Sequence, residues 1–342
     1  MSEPDVSVII PTYRREQQVV EAVRSALSEQ SISIEVLVLD DTSEGSAEEG
    51  VRTIGDPRIH YHRQLAPSRG RPAMVRNEGM RHARGRYLYF LDDDDHVMPG
   101  ALSALSSALD QAPRCAVAYG TVTPFGKDPA VVASYARWFD WAARISRRLS
   151  GSKWLTTGTI LFRGTLIINS ACMIRRTCAR ELNGYDADIP VYEDVDFHMR
   201  GIRRWGHLFV DRPVLHYRTG APSLIHDLQG DTKPIHDSYR IIHRKYKETY
   251  GAVDYRALQA ACKALPLRVQ LKSARMPLRW IACQVSGWAK RPTVRSMARA
   301  REARWTPTNC TPVDTPAAKA ARLASITVSA SPPVRATTGP QP

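Results

Sequence analysis

In Gly85-Arg86-Tyr87-Leu88-Tyr89-Phe90-Leu91-Asp92-Asp93-Asp94-Asp95, five apolar or aromatic residues run without a break into four acids. A short continuous apolar run opened by a glycine reads as a strand covered on both faces, not one with a side in water. The same pattern recurs upstream. Val36-Leu37-Val38-Leu39 runs into Asp40-Asp41, and Val6-Ser7-Val8-Ile9-Ile10 is expected to end at Pro11. Residues 35–39, 58–62 and 87–91 therefore read as the second, third and fourth strands. Val19, Val20, Val23 and Leu27 recur at helical spacing between the first two, and a helix over 76–83 is stopped by Gly85. Pro99 suits the entry to a helix over 101–109, followed by a fifth strand over 115–119. Strands alternating with helices predict an α/β fold, a mostly parallel sheet flanked by helices.

The pattern degrades over 121–168, where an irregular excursion is expected, and returns with a helix over 194–204 and short strands over 208–210 and 214–217. Beyond Pro234 the chain reads as helical until Pro307, and seven prolines among its last 38 residues predict a disordered tail. Three regions follow: an α/β domain over 1–225, a basic helical region over 226–305 and a Pro/Thr/Ala-rich tail over 306–342. With 342 residues, 43% of them hydrophobic, the chain has ample material for a buried core. Its formal charge is +14, but residues 251–342 hold 15 Lys and Arg against 3 Asp and Glu. The front of the chain is nearly neutral, so a nucleic-acid partner is not expected. No run approaches the roughly 18 apolar residues of a spanning helix, and the acidic start does not resemble a secretion signal, so a cytoplasmic location is expected. Six scattered cysteines without a CxxC pair read as reduced packing residues.

Open α/β sheets bind ligands outside the carboxyl ends of their strands, which is where Asp40-Asp41 and Asp92–Asp95 fall. Adjacent acids raise one another's pKa unless a cation neutralises them, and a divalent ion held by one or two carboxylates and substrate phosphates answers that need. The plainer alternatives are a solvated acidic turn before the next helix, and for Asp41 a turn residue ahead of a capping box at Ser46-Ala47-Glu48-Glu49.

The order of Val6-Ser-Val-Ile-Ile-Pro-Thr-Tyr13, Val38-Leu-Asp-Asp41, Gly70-x-x-Ala73-x-x-Arg76-Asn77-x-Gly79 and Gly85 to Asp95 with Pro99 resembles family 2 glycosyltransferases of the GT-A fold, a Rossmann-like architecture. Asn183-Gly184-Tyr185-Asp186 and Tyr192-Glu193-Asp194 resemble that family's G-[FY]-D and E-D motifs, and the likeness covers about residues 5–220. It implies an inverting, metal-dependent transfer of a sugar from a UDP- or GDP-type nucleotide-diphosphate donor to a hydroxyl of a glycan or lipid-linked acceptor. Pro11, Thr12, Tyr13, Arg14 and Asp41 would cradle the nucleotide, and Arg76 would line its pocket. Asp92 or Asp93 would contact ribose and metal, Asp94 would hold Mg²⁺ or Mn²⁺, and Asp194 would be the catalytic base. The alternative for Asp194 is a helix-N-terminal acid favoured by the dipole. The family often carries a histidine after a Tyr-Arg pair; here Tyr217-Arg218 leads to Gly220, leaving His216 or His226 as substitutes.

Leu267, Leu271, Ala274, Leu278, Ile281, Val285 and Trp288 form one helical stripe, with Arg268, Lys272, Arg275 and Arg279 beside it. Such a helix suits an anionic membrane surface on the cytoplasmic side, or packs on the catalytic body with its cations solvated. Two other functions were open to the sequence. A metal-dependent nucleotidyltransferase would carry a Gly-rich phosphate loop, which Pro11-Thr12-Tyr13-Arg14-Arg15 lacks, and a non-enzymatic basic binding module would have no need of the acids at 41, 92–94 and 194.

Overall fold

The apolar runs form the centre of one sheet. β1 (Val6–Thr12), α1 (Glu16–Leu27), β2 (Ile34–Asp40), α2 (Glu48–Arg52), β3 (Ile59–Arg63), α3 (Pro72–His82) and β4 (Tyr87–Phe90) follow in order. The computed structural model describes residues 3–68, 70–149, 151–220 and 232–264. The basic stripe over 267–288, His226 and the tail over 306–342 lie outside them. β1 pairs in parallel with β2 on one side and β4 on the other, and β3 extends the sheet beyond β2. Ile9, Leu37, Leu39, Leu88 and Phe90 enter one apolar cluster, while Val8, Ile10, Val36, Val38, Tyr89 and Leu91 enter the cluster on the opposite face. That period of two, with both faces dry, is why these strands read as unbroken apolar runs. Each fully buried Leu, Ile or Phe contributes about 1.5–3 kcal/mol of transfer free energy.

β1 does not stop at Pro11. Ile9 and Pro11 face β4, where the Ile9 carbonyl accepts from Leu91, but β4 ends before it reaches Pro11. The missing proline N–H therefore falls where no partner strand exists, and β1 continues to Thr12 against β2 alone.

The second half comprises β5 (His96–Val97), α4 (Ala101–Gln111), β6 (Val117–Phe125), α5 (Pro129–Leu149), α6 (Lys153–Phe162), β7 (Cys172–Arg175), α7 (Arg176–Glu181), α8 (Glu193–Trp205), β8 (His207–Arg218) and α9 (Lys233–Ala264). The sheet order is β3-β2-β1-β4-β7-β6-β8-β5, with β7 antiparallel to both its neighbours. The N-terminal half is thus parallel and the remainder mixed. The expected irregular excursion over 121–168 is instead the end of β6 and two helices. α5 buries Phe139, Ala142, Ala143, Ile145, Ser146 and Leu149 at helical spacing, a face hidden in the sequence by its alanines and serine. The two short strands over 208–210 and 214–217 are one strand, β8, whose register against β6 slips around Thr121 and Pro213.

α3 lies tight on β1 because Gly79 faces it: a Cβ there would sit 2.4 Å from Ile9 Cγ2 and 3.1 Å from Leu39 Cδ2. Gly79→Ala is expected to cost about 1–3 kcal/mol by overpacking. Urea unfolding should show a lower midpoint at unchanged slope; an unchanged midpoint would show that Ile9 gives way freely.

Candidate active site

The strand order reverses between β1 and β4, and the residues leaving these two strands meet at their carboxyl ends, the usual ligand crevice of such sheets. Thr12 Oγ1 donates to Asp93 Oδ2 at 2.8 Å. Arg15 Nη1 donates to Asp93 Oδ1 and Asp94 Oδ2, each at 2.8 Å. Arg76, on α3, is almost wholly buried and links two elements distant in sequence: Nη2 donates to Asp92 Oδ1 at 2.8 Å and Nη1 to Glu193 Oε1 at 2.5 Å. Burial works against its charge, but Asp92 and Glu193 more than offset this and its pKa rises. Its guanidinium also lies 5.5 Å over the Tyr185 ring. Arg218, at the end of β8, donates Nε to the Asp94 carbonyl at 2.8 Å and its backbone N–H to Asp95 Oδ1 at 2.9 Å.

Asn183-Gly184-Tyr185 supports this centre from behind. Asn77 accepts from the Tyr185 N–H and donates to its carbonyl, both at 2.8 Å, and the Tyr185 hydroxyl donates to Asn169 at 2.9 Å. Gly184 sits at φ +69°, and a Cβ there would lie 2.3 Å from Asn77 Oδ1, so the Asn77 clasp requires glycine. The backbone bends sharply near the site. Among the described residues only Arg14, Asn183 and Tyr192 combine a side chain with positive φ, and they immediately precede Arg15, the Gly184-Tyr185 clasp and Glu193-Asp194.

Six carboxylates, Asp92 to Asp95, Glu193 and Asp194, therefore share the cleft with Arg15, Arg76 and Arg218. The pKa values of four of them are raised. Burial pushes Asp93 up to about 6 against the opposing pull of Arg15. Asp94 is also raised by burial, with Arg15 opposing. Burial, with the charges of Asp94 and Asp92, holds Asp95 well above the usual carboxylate range. Asp194, in the first turn of α8, is pushed up to about 7, first by burial and then by the charge of Glu193. Glu193 is tied to Arg76, whereas Asp194 keeps partial contact with solvent.

The other expected residues are placed as follows. Both Asp41 oxygens accept from Ser68, from its N–H at 2.6 Å and its Oγ at 2.7 Å, so this buried carboxylate pins the loop after β3. Asp40 performs the task given to the Ser46 capping box: its Oδ2 accepts from the Ala47 N–H at 2.9 Å, and Ser46 Oγ has no partner among the described residues. Pro11 lies near the end of β1 toward the crevice, paired with Leu39, and Tyr13 just beyond the strand is half exposed. Arg14 reaches outward to Glu44 at 3.4 Å, so Arg15, not its neighbour, grips the acids. His216 packs 4.3 Å from Phe125 and 6.3 Å from His96; Arg218 reaches the strand-end acids from that strand. Sequence reasoning missed Arg15 and Arg218 as site residues, although the Tyr217-Arg218 pair was the signal for the second.

Among the described residues no three His, Cys, Asp or Glu side chains cluster tightly enough to hold an ion alone. The donor set nonetheless fits a hard divalent cation completed by substrate phosphates. Asp92 and Asp94 each give one oxygen to arginine, and their side chains retain 34% and 16% exposure.

The family model described as Glycosyl transferase family 2 matches residues 7–177. Succinoglycan biosynthesis protein ExoO of Rhizobium meliloti is 37% identical over 110 residues, 32% of this chain and 31% of that protein. GalNAc(5)-diNAcBac-PP-undecaprenol beta-1,3-glucosyltransferase of Campylobacter jejuni is 35% identical over 104 residues, 30% of this chain and 33% of that protein. The matched stretch thus spans about a third of each of these relatives. The crystal structure of S. aureus TarS 1–349 in complex with UDP-GlcNAc superposes with a TM-score of 0.56 at 16% identity, covering 76% of this chain and 71% of that one. The likeness establishes the expected GT-A α/β fold.

Removing the Arg76 guanidinium leaves Asp92 and Glu193 facing each other without a cation. Arg76→Ala is expected to cost about 3–5 kcal/mol of stability in chemical denaturation. Arg76→Lys should recover only part of it, because one ammonium cannot fork between carboxylates on two elements. Full recovery by lysine would show that charge alone, without the fork, holds the cleft.

Proposed function

This chain belongs to glycosyl transferase family 2, and from that premise we propose that it is an inverting, metal-dependent glycosyltransferase using a nucleotide-diphosphate sugar. One observation carries the reading: a single buried arginine joins the acids leaving β4 to the acids opening α8, so Asp194 stands beside the proposed diphosphate site. Asp194 is the base. The acceptor hydroxyl gives it a proton, the acceptor oxygen bonds to the anomeric carbon, and the bond to the diphosphate breaks on the opposite face with its electron pair. Its pKa near 7 suits this role, since a base poised near the working pH combines sufficient basicity with a substantial ionised fraction. Glu193 is a positioning residue, held by Arg76.

Asp92 and Asp94 hold the divalent cation, Mg²⁺ or Mn²⁺, which when bound supplies charge stabilisation for the departing diphosphate. Arg15 and Arg218 fix the loop that presents these acids. The nucleotide lies along the end of β1 and β2, over Pro11 to Arg14 and Asp41, with Asp93 bracing the floor through Thr12. The relatives named for succinoglycan biosynthesis and for a glucosyltransferase support a role in polysaccharide or glycolipid assembly, and the fold neighbour solved with UDP-GlcNAc supports a UDP-type donor. Among the described residues no helix is long and apolar enough to cross a membrane.

Asp194→Asn is expected to lower the transfer rate by at least about a hundredfold, the lower range of general-base effects, while leaving the donor Kd nearly unchanged. Since the ionised form is active, wild-type kcat/KM should rise about tenfold per pH unit below 7 and level off above it. A flat profile between pH 5 and 8 would reassign the base.

The metal has its own test. Mn²⁺ with UDP or GDP should raise the melting temperature of the wild-type chain, and Asp94→Asn should remove most of the Mn²⁺-dependent part. An equal shift in EDTA would exclude the metal from donor binding.

A further inference from the structure

Near the proposed base stand phenols that the transfer step described above does not use. Tyr135 comes from α5, Tyr192 from the residue before α8, Tyr217 from the end of β8 and Tyr239 from α9. The Tyr135 and Tyr217 rings lie 5.6 Å apart, with Phe139 5.5 Å from Tyr217. The Tyr192 and Tyr239 rings lie 5.4 Å apart. These two pairs belong to one cluster beside the acids. Burial, followed by the charges of Tyr239, Asp194, Tyr135 and Tyr217, raises the pKa of Tyr192. Burial, followed by Asp95, Tyr135, Asp94 and Asp92, holds that of Tyr217 well above the usual phenol range. Tyr217 precedes Arg218, which binds Asp94 and Asp95, and Tyr192 precedes Glu193-Asp194, so the cluster reaches from the strand-end acids, where the donor's diphosphate is proposed to sit, to Asp194. An acceptor must occupy that interval, because its oxygen has to lie between the base and the anomeric carbon.

We propose that Tyr135, Tyr217 and Tyr239 line the acceptor subsite, with Tyr192 buttressing Tyr239, and that they select a pyranose ring of a glycan as acceptor. Rings of this kind offer an apolar face for the C–H face of a sugar, and their hydroxyls both donate and accept hydrogen bonds at its edge. Tyr135, Tyr217 and Tyr239 are half-buried, so each presents part of its surface instead of being lost in the core. Three of the four come from the chain's second half outside the α8 turn, from α5, β8 and α9. The parallel half would thus read the donor and the later elements the acceptor. This assignment rests on the transferase reading above and adds the class of molecule that receives the sugar.

The test uses the full chain with UDP- and GDP-sugars, Mn²⁺ and three probe acceptors, the octyl β-pyranosides of glucose, galactose and N-acetylglucosamine, with 1,2-propanediol as the non-sugar alcohol. Diphosphate-nucleotide release should be stimulated by at least one pyranoside and not by the diol at equal concentration. Tyr135→Leu and Tyr239→Leu should each raise the pyranoside KM about tenfold while the donor KM stays within about twofold. Tyr135→Phe, which keeps the ring, should recover most of the loss. Circular dichroism of each variant checks that it folds, and Tyr135→Phe serves should a leucine variant fail that check: a KM near wild type supports the platform, and one raised tenfold overturns stacking as its basis. If the wild-type chain hydrolyses a donor but no pyranoside stimulates release, or if the leucine variants leave the pyranoside KM unchanged, the subsite is overturned and the transferase reading stands. If the wild-type chain neither binds nor hydrolyses any donor, the transferase reading falls first and takes the subsite with it.

Discussion

Arg76 is the point at which the two halves of the cleft become one object. It sits on α3, pinned above β1 by the close approach at Gly79, and its two terminal nitrogens reach Asp92 after β4 and Glu193 at the start of α8. A guanidinium suits this place because its planar fork can serve two carboxylates at once, and because it is more weakly hydrated than an ammonium and so loses less on burial. Nothing local forces residues 92 and 193 together, and the sheet places β4 and α8 on separate connections. The ion pairs convert that neighbourhood into a fixed distance, and the separation between the proposed diphosphate site and the proposed base inherits it.

The same arrangement leaves acid in excess. Arg15, Arg76 and Arg218 face six carboxylates, and the upward shifts at Asp93, Asp94, Asp95 and Asp194 are the electrostatic expression of that excess under desolvation. Two responses are available to such a cluster: to bind protons, or to bind a cation. In the proposed function a divalent ion arriving with a diphosphate would satisfy the second at Asp92 and Asp94, whose exposure leaves them reachable, while Asp93 is turned inward onto Thr12 and Arg15. One consecutive run of four acids thereby divides into members turned inward and members left reachable, because successive side chains leave the strand end in different directions.

How much of this could be read from residues alone follows from where the signals are local. β1, β2 and β4 were legible because burial on both faces demands unbroken apolar runs, and the acids that follow them were legible because a strand end has only one place to go. Arg15 was not. Its selection over Arg14 depends on a left-handed turn at Arg14 that throws that side chain outward, and nothing in Tyr13-Arg14-Arg15 announces it. α5 escaped because alanines and a serine carry much of its buried face, where pattern reading looks for larger apolar groups. The hold of Asp41 on Ser68, which donates to it twice from 27 positions away, is likewise encoded by no spacing rule. β8 was split in two because its irregular register is visible only against β6.

The assignment of the base also explains why the fold tolerates an ill-placed charge. A carboxyl group whose folded pKa lies near 7, against about 3.9 in an unfolded chain, binds its proton more tightly when folded. Native protein then holds more protons than unfolded protein between those values, so this group's contribution to stability falls as pH rises through the interval, and the ionised form strains the fold above it. A residue kept only as a helix-terminal acid would be expected to favour its charge next to the α8 dipole, with a lowered pKa. Asp194 does the opposite, because burial and Glu193 outweigh the dipole. The neighbouring Glu193 pairs with Arg76 and Asp196 with Arg200, while Asp194 keeps partial contact with solvent. The stability lost at Asp194 is the same free energy that would make it, in its proposed role, a competent proton acceptor near neutrality, and the Arg76 bridge joins its turn to the strand-end acids.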